Sequence, residues 1–516
     1  MAYSRVVSAP RITSVNQAAI ARRGAYVLYW MIAARRHRWS FALDHAIARA
    51  VELGRPLLVF EPLRAGYAWA SDRHHALVVQ GMADNAAAFA KARITYLPYV
   101  EPAAGEGAGL LEALAKHACC VITDEQPGFF LPKMVAAAGE KLSVRLEQVD
   151  GNGLLPLRAA EQAFSTAAAF RRHLQKTLPA YLGDAPAAEP LAKLPRGVTG
   201  AKLPATILRR WKPASAELLT GSAGALAAIA IDHGVPPVDY RGGAQAAGEA
   251  LDDFVERKLA RYGDGHNHPD DDAASGLSPY LHFGHLSAHE VVARVWREAQ
   301  WNPSRLAERP SGSREGWWGL PPASEAFLDE VITWRELGYG FCFHRADYDR
   351  YASLPDWARK TLDAGAHDPR SVQYTRAQLE AAKTGDPVWN AAQRQLLVEG
   401  RIHNYLRMLW GKKVLEWSRS PKVALATLIE LNNKYAVDGR DPNSYSGIFW
   451  TLGRFDRPWA PTRPIFGNIR YMSSASTVRK LHMKQYLARW GEPAANEPAA
   501  NEPATRRRPR ARRAAR

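Results

Sequence analysis

Cysteine is scarce in this chain. Its three copies, Cys119, Cys120 and Cys342, are too few for a four-ligand zinc or iron–sulfur set and give no basis for a disulfide framework. That usage fits a reducing, cytoplasmic compartment. Long apolar runs are also missing. None approaches the roughly 18 residues that span a bilayer, which excludes a membrane-embedded protein, and the N-terminus lacks the continuous apolar stretch of a secretory signal. No acidic residue precedes Asp44 although several Arg do, and this stretch reads as an N-terminal arm. No GxGxxG follows the first strand-like run, so the ordinary dinucleotide fingerprint is absent.

Positive charge and tryptophan are abundant instead. The 516 residues carry a formal charge of +17, with 47% hydrophobic and 23% charged residues. A chain of this length and balance divides into two or three globular domains. A surplus of this sign favours polyanionic partners, although a basic surface without a ligand is the plain alternative. Seven Arg and three Glu in 491–516 contribute +4, which leaves +13 on the body.

Short apolar runs at 26–31, 56–60, 94–99, 119–123 and 144–149 are spaced to leave room for helices between them, and the segments 40–53 and 72–92 show helical spacing. This alternation predicts a parallel, Rossmann-like α/β sheet over residues 1–178. A Pro-, Ala- and Lys-rich stretch at 179–213 reads as a linker. From 214 to 490 strand signals nearly vanish while helical patterns, Trp and Arg accumulate, which predicts an all-α domain. The tail 491–516 repeats Glu-Pro-Ala-Ala-Asn and then turns Arg-rich, with too little apolar surface to offset the entropy of ordering.

Four clusters carry chemistry. Among sixteen Trp, Trp410 and Trp417 lie two helical turns apart, about 10 Å along an axis. Trp389 would be about 30 Å from Trp410 on a straight helix; the three meet only if the chain folds back, and Gly400 offers the break. Core packing is the ordinary role of such a triplet. Glu330 and Trp334, at i and i+4, bring a carboxyl and an indole to one helix face, where a structural pair is the ordinary reading. The polar stretch 431–450, LNNKYAVDGRDPNSYSGIFW, suits a ligand with many hydrogen-bonding groups. The stretch 275–284, SGLSPYLHFG, suits phosphate oxygens at a helix start, or is a plain N-cap. The loop 263–272, GDGHNHPDDD, has metal-ligand residue types but reads as solvated and metal-free, because no partner helix offers a matching ligand set.

The strings YLHFG at Tyr280, WREL at Trp334, WNAAQ at Trp389, NYLRMLWGKKVLEW ending at Trp417 and NNKYAVDGRDPN from Asn432 together resemble class II cyclobutane pyrimidine dimer photolyases. Their order and spacing match over most of the chain, fading in the linker and after about residue 480. The resemblance implies the photolyase/cryptochrome architecture, an α/β domain that in the family holds an antenna chromophore, here of deazaflavin type or none, and a helical domain enclosing FAD, active in its reduced form FADH⁻. By motif, Tyr262, Ser275, Leu277, Ser278 and Asp441 would hold the cofactor, Arg407 and Asp438 would pair beside its ring system, and Asn432 would face its N5. Glu330, Trp334, Met408 and Trp450 would surround the lesion, and Trp410, Trp389 and Trp417 would carry electrons. The implied partner is UV-damaged DNA, bound by a monomer. Competing readings are a cryptochrome-like light receptor without repair, which retention of the lesion residues argues against, and a (6-4) photolyase, which should show paired histidines where His403 is followed by Asn404. A plain DNA-binding module would purify colourless.

Overall fold

The computed structural model describes residues 7–492 apart from residue 196; all but the first two residues of the Arg-rich tail lie outside the described residues. Strands β1 (Ile12–Ser14), β2 (Tyr26–Trp30), β3 (Leu57–Leu63), β4 (Thr95–Val100), β5 (Ala118–Glu125) and β6 (Arg145–Asp150) form one sheet in the order β1-β6-β5-β2-β3-β4. All neighbours run parallel except β1, which pairs antiparallel with β6. Every residue of β2 and β5 is buried, as a parallel sheet covered on both faces requires. Alternate residues of β2 serve opposite faces. Tyr26, Leu28 and Trp30 pack with Leu114 and Val135 from helices α3 (Leu110–Ala115) and α4 (Leu131–Lys141), while Val27 and Tyr29 pack with Phe41, Ile47 and Phe89 from α1 (Phe41–Leu53) and α2 (Asp72–Lys91).

The five sequence-read strands and both helices form where expected, and β1 is an addition. The boundary at residue 178 does not follow the packing. Leu154, Leu155 and the apolar face of α5 (Ala167–Thr177) belong to the core of the helical layer. The stretch 179–213 then returns to the sheet: Leu57 donates its backbone N–H to Thr199, and Ala201, Ile207 and Trp211 are buried against β2 and β3 neighbours. Composition marked a surface crossing, whereas scattered apolar residues pin much of it down.

Buried polar ties lock the two layers and hold the segment after β6 in the helical one. Arg73 of α2 donates to the backbone oxygens of Leu396, Leu397 and Tyr435. The Glu336 carboxyl, pushed up to about 7 by burial, accepts from the N–H groups of Leu154 and Leu155. All three cysteines are buried and free. Among the described residues, no helix is long and apolar enough to cross a membrane.

Candidate active site

Glu330 and Trp334 sit where a helix changes its winding. Helix Pro322–Leu328 passes through the π-helical turn Asp329–Trp334 into helix Arg335–His344. Widened turns of this kind give up regular hydrogen bonding and recur at functional positions. Here the turn is clamped from outside: Arg171 of α5 grips Asp329 with two hydrogen bonds of 2.7 and 2.8 Å, both side chains buried. Glu330 itself is half-buried, and no hydrogen bond holds its carboxyl among the described residues. Burial, reinforced by Asp329, pushes that carboxyl up to about 7 against the pull of Arg314 and Arg171. At neutral pH it is therefore a mixed population of neutral donor and carboxylate.

Met408 and Trp450 line a cavity of about 450 Å³ with Asn267, Asn404, Tyr405, Trp459, Arg463, Arg470 and Lys480 among its other walls. Met408 comes from helix Asn404–Trp417 and Trp450 from helix Pro442–Trp450. Two cations flank the Trp450 ring: Lys412 Nζ is 5.0 Å and the Arg470 guanidinium 5.4 Å from its centroid. Lys412 is fully buried, donates to the Thr451 oxygen at 2.7 Å and is pulled down to about 7 by burial. Arg470 also stacks 3.9 Å over Trp459 and pairs with Asp456. Glu330 and Trp334 are not in this cavity wall. Tyr262 lies between the two groups: burial, with a smaller contribution from the Glu330 and Asp329 charges, raises its hydroxyl pKa, and its ring stacks 4.6 Å from His266, one residue before Asn267.

The remaining expected residues form a polar shelf. Arg407 and Asp438 pair at 3.0 Å, and buried Asn432 donates to Ser444 Oγ at 2.9 Å. Gly276, at φ 67°, turns the chain between Ser275 and buried Leu277 into the short helix Ser278–His282. A Cβ on Gly276 would lie 3.4 Å from Arg401 Nη1. Arg401 also lies over Tyr240, whose hydroxyl is buried without a partner. A guanidinium, a glycine turn and an orphaned hydroxyl suit a ligand with phosphates, so these residues fit FAD. Asp441 instead faces the layer interface: it accepts from Tyr339 at 2.8 Å, meets His282 at 3.3 Å and caps helix Pro442–Trp450. The interface crevice at the strand ends, between Asp124, Arg36 and Arg335, encloses about 30 Å³. That enclosed volume holds water.

Helix Pro387–Glu399 ends at Gly400 in the left-handed region, φ 66°, and the chain folds back into helix Asn404–Trp417. Trp389 thereby stacks on Trp410 with centroids 6.2 Å apart and meets Trp417 edge-on at 5.5 Å. Its indole donates to the Trp410 oxygen, and Trp410 donates to Gln393. Sequence reasoning missed Arg401, Arg470, Trp459, Lys412 and Lys480. Alternating basic and aromatic residues between 450 and 480 were the available signal.

No family model matches the chain. Curated relatives do. It is 31% identical over 487 residues to the deoxyribodipyrimidine photo-lyase of Methanothermobacter thermautotrophicus, covering 94% of this chain and 98% of that protein. It is 33% identical to the protein of the same name from Oryza sativa subsp. japonica, covering 90% and 87%, and 32% to that of Potorous tridactylus, covering 89% and 80%. In fold it is similar to the crystal structure of a bacterial class III photolyase from Agrobacterium tumefaciens, with TM-score 0.62 and 18% identity over 90% of this chain and 86% of that one.

Proposed function

Because the chain belongs to the deoxyribodipyrimidine photo-lyase family, we propose that this DNA-repair lyase is of the class II type and splits cyclobutane pyrimidine dimers by light-driven electron transfer. The observation that carries this reading is the 450 Å³ cavity walled by Met408, Trp450 and Trp459 and rimmed by Arg463, Arg470 and Lys480. Its size and lining suit two covalently joined pyrimidines of one strand with their flanking phosphates. Extruding a dimer from the duplex costs a few kcal/mol, less for a lesion already poorly stacked. The indoles replace the lost stacking, and the cations take the flanking phosphates.

Arg407, Asp438, Asn432, Arg401 and the turn Ser275, Leu277 and Ser278 would hold FAD, with Tyr262 beside them and Asp441 supporting the shelf from behind. When bound and reduced, FAD supplies one photoexcited electron to the dimer. Glu330 and Trp334 lie outside the cavity wall, on the π turn whose charge Tyr262 feels; for a dimer seated deep enough to reach them, neutral Glu330 would donate a hydrogen bond to the pyrimidine carbonyl as negative charge develops there, with Trp334 on the same side. Two carbon–carbon bonds of the cyclobutane ring break and the electron returns, so the reaction has no net redox change. Trp417, Trp389 and Trp410 form a packed aromatic line along which an electron reaches the interior.

The test is to reduce the protein anaerobically and illuminate it with oligonucleotides bearing a thymine cyclobutane dimer or a (6-4) photoproduct. Loss of the cyclobutane dimer alone, in light and not in darkness, is expected. Intact dimers would return the reading to a light receptor, and loss of the (6-4) lesion would show the substrate assignment wrong.

A further inference from the structure

The loop 263–272 reads from its sequence as solvated and metal-free, yet the fold brings a third ligand to it from 211 residues further along the chain. His482 Nδ1 lies 3.0 Å from Asp271 Oδ1. The imidazoles of His268 and His482 stack with centroids 4.2 Å apart. One ligand atom from each of His268, Asp271 and His482 lies within 4.8 Å of the others. We propose that these three residues bind one divalent transition-metal ion of the zinc class, which staples the C-terminal segment to the loop at the cavity rim.

The backbone around the ligands is already clamped. Asp270 donates its N–H to the His482 oxygen, and its carboxylate accepts from the N–H groups of Gln485 and Tyr486, where helix Lys484–Trp490 begins. Arg261 donates to the Asp271 oxygen. Preorganisation of this kind lowers the entropy lost on binding. Two imidazoles and a carboxylate are the donor set of borderline divalent ions, and bonds of about 2.0–2.2 Å require the three ligand atoms to close by roughly an ångström. In the metal-free arrangement His268 Nδ1 accepts the His482 backbone N–H at 3.0 Å. Coordination through that nitrogen replaces one hydrogen bond, which makes the site one of moderate affinity. The His482 side chain is 69% exposed, so ions enter from solvent and water completes the shell.

The position gives the ion a consequence. Asn267, next to His268, and Lys480, two residues before His482, both line the cavity. An ion joining the two segments fixes the spacing of those walls. The metal site does not depend on the lyase reading, and its test uses no DNA.

The test is calorimetric titration of Zn²⁺ into the chelator-treated full-length protein, free of any polyhistidine tag. Saturation at one equivalent is expected, weakened at least about tenfold in His482→Ala and in Asp271→Asn and unchanged in His367→Ala, whose side chain is exposed elsewhere. Because the His482 ring is exposed, His482→Ala should keep the wild-type circular dichroism, and Asp271→Asn provides a second, near-isosteric variant. Absence of saturable binding at one equivalent, or an unaltered isotherm in both variants, would overturn the proposal.

Discussion

Glu330 has its carboxyl pushed up to about 7 by burial, so the donor form dominates below that pH and is lost as pH rises through it. Dimer splitting per absorbed photon should therefore fall between about pH 6 and 8 in the wild type. Glu330→Gln keeps an N–H donor at every pH and should be flat over the same range; the check is a repair-yield profile of the two proteins side by side. The residue pair was legible in the sequence because i and i+4 share a helical face. What was not legible is the π turn beneath it, since that depends on Arg171, 159 positions before Glu330 and held by two hydrogen bonds to Asp329.

Helix reversal at Gly400 puts three tryptophans in one packed line. Replacing Gly400 with Ala forces a left-handed L residue, at about 1–2 kcal/mol, and sets its Cβ 2.5 Å from Val437 Cγ2. A lower melting temperature is expected, measured by circular dichroism, together with altered tryptophan fluorescence. Trp389→Phe tests the line itself. Light-driven reduction of the oxidised enzyme should slow strongly, while repair by chemically pre-reduced enzyme stays close to wild type; equal slowing of both would make Trp389 a packing residue. The break at Gly400 was readable from sequence, as were the strands β2 to β6, whose apolar runs reflect burial on both faces. Three-residue β1 carries no such pattern. Helix α5 is amphipathic, but amphipathicity does not say which layer it will cover.

At the scale of the molecule, the body charge of +13 and the cations rimming the cavity imply binding dominated by phosphates. Raising salt from about 50 to about 200 mM should weaken affinity for lesion-bearing duplex at least tenfold, read by fluorescence anisotropy; a flat profile would remove the electrostatic part of the account. Charge sign and two-layer architecture were visible in composition and periodicity. The cavity was not, because Asn267, Met408, Trp450 and Arg470 come from segments that only the fold brings together. Asp441 shows the reverse: its motif suggested a cofactor contact, and its side chain caps a helix and pairs with Tyr339 and His282 inside the helical layer.

The central claim is that this pocket splits dimers with help from a neutral carboxyl, and the most direct measurement is the number of thymine dimers split per absorbed photon by anaerobically reduced wild-type protein, Glu330→Gln and Glu330→Ala. The account predicts efficient wild-type splitting, a yield lowered about 10-fold to 100-fold in Glu330→Ala and an intermediate yield in Glu330→Gln. Equal yields in all three would contradict the role given to Glu330, and dimers left intact by the wild type would contradict the account as a whole.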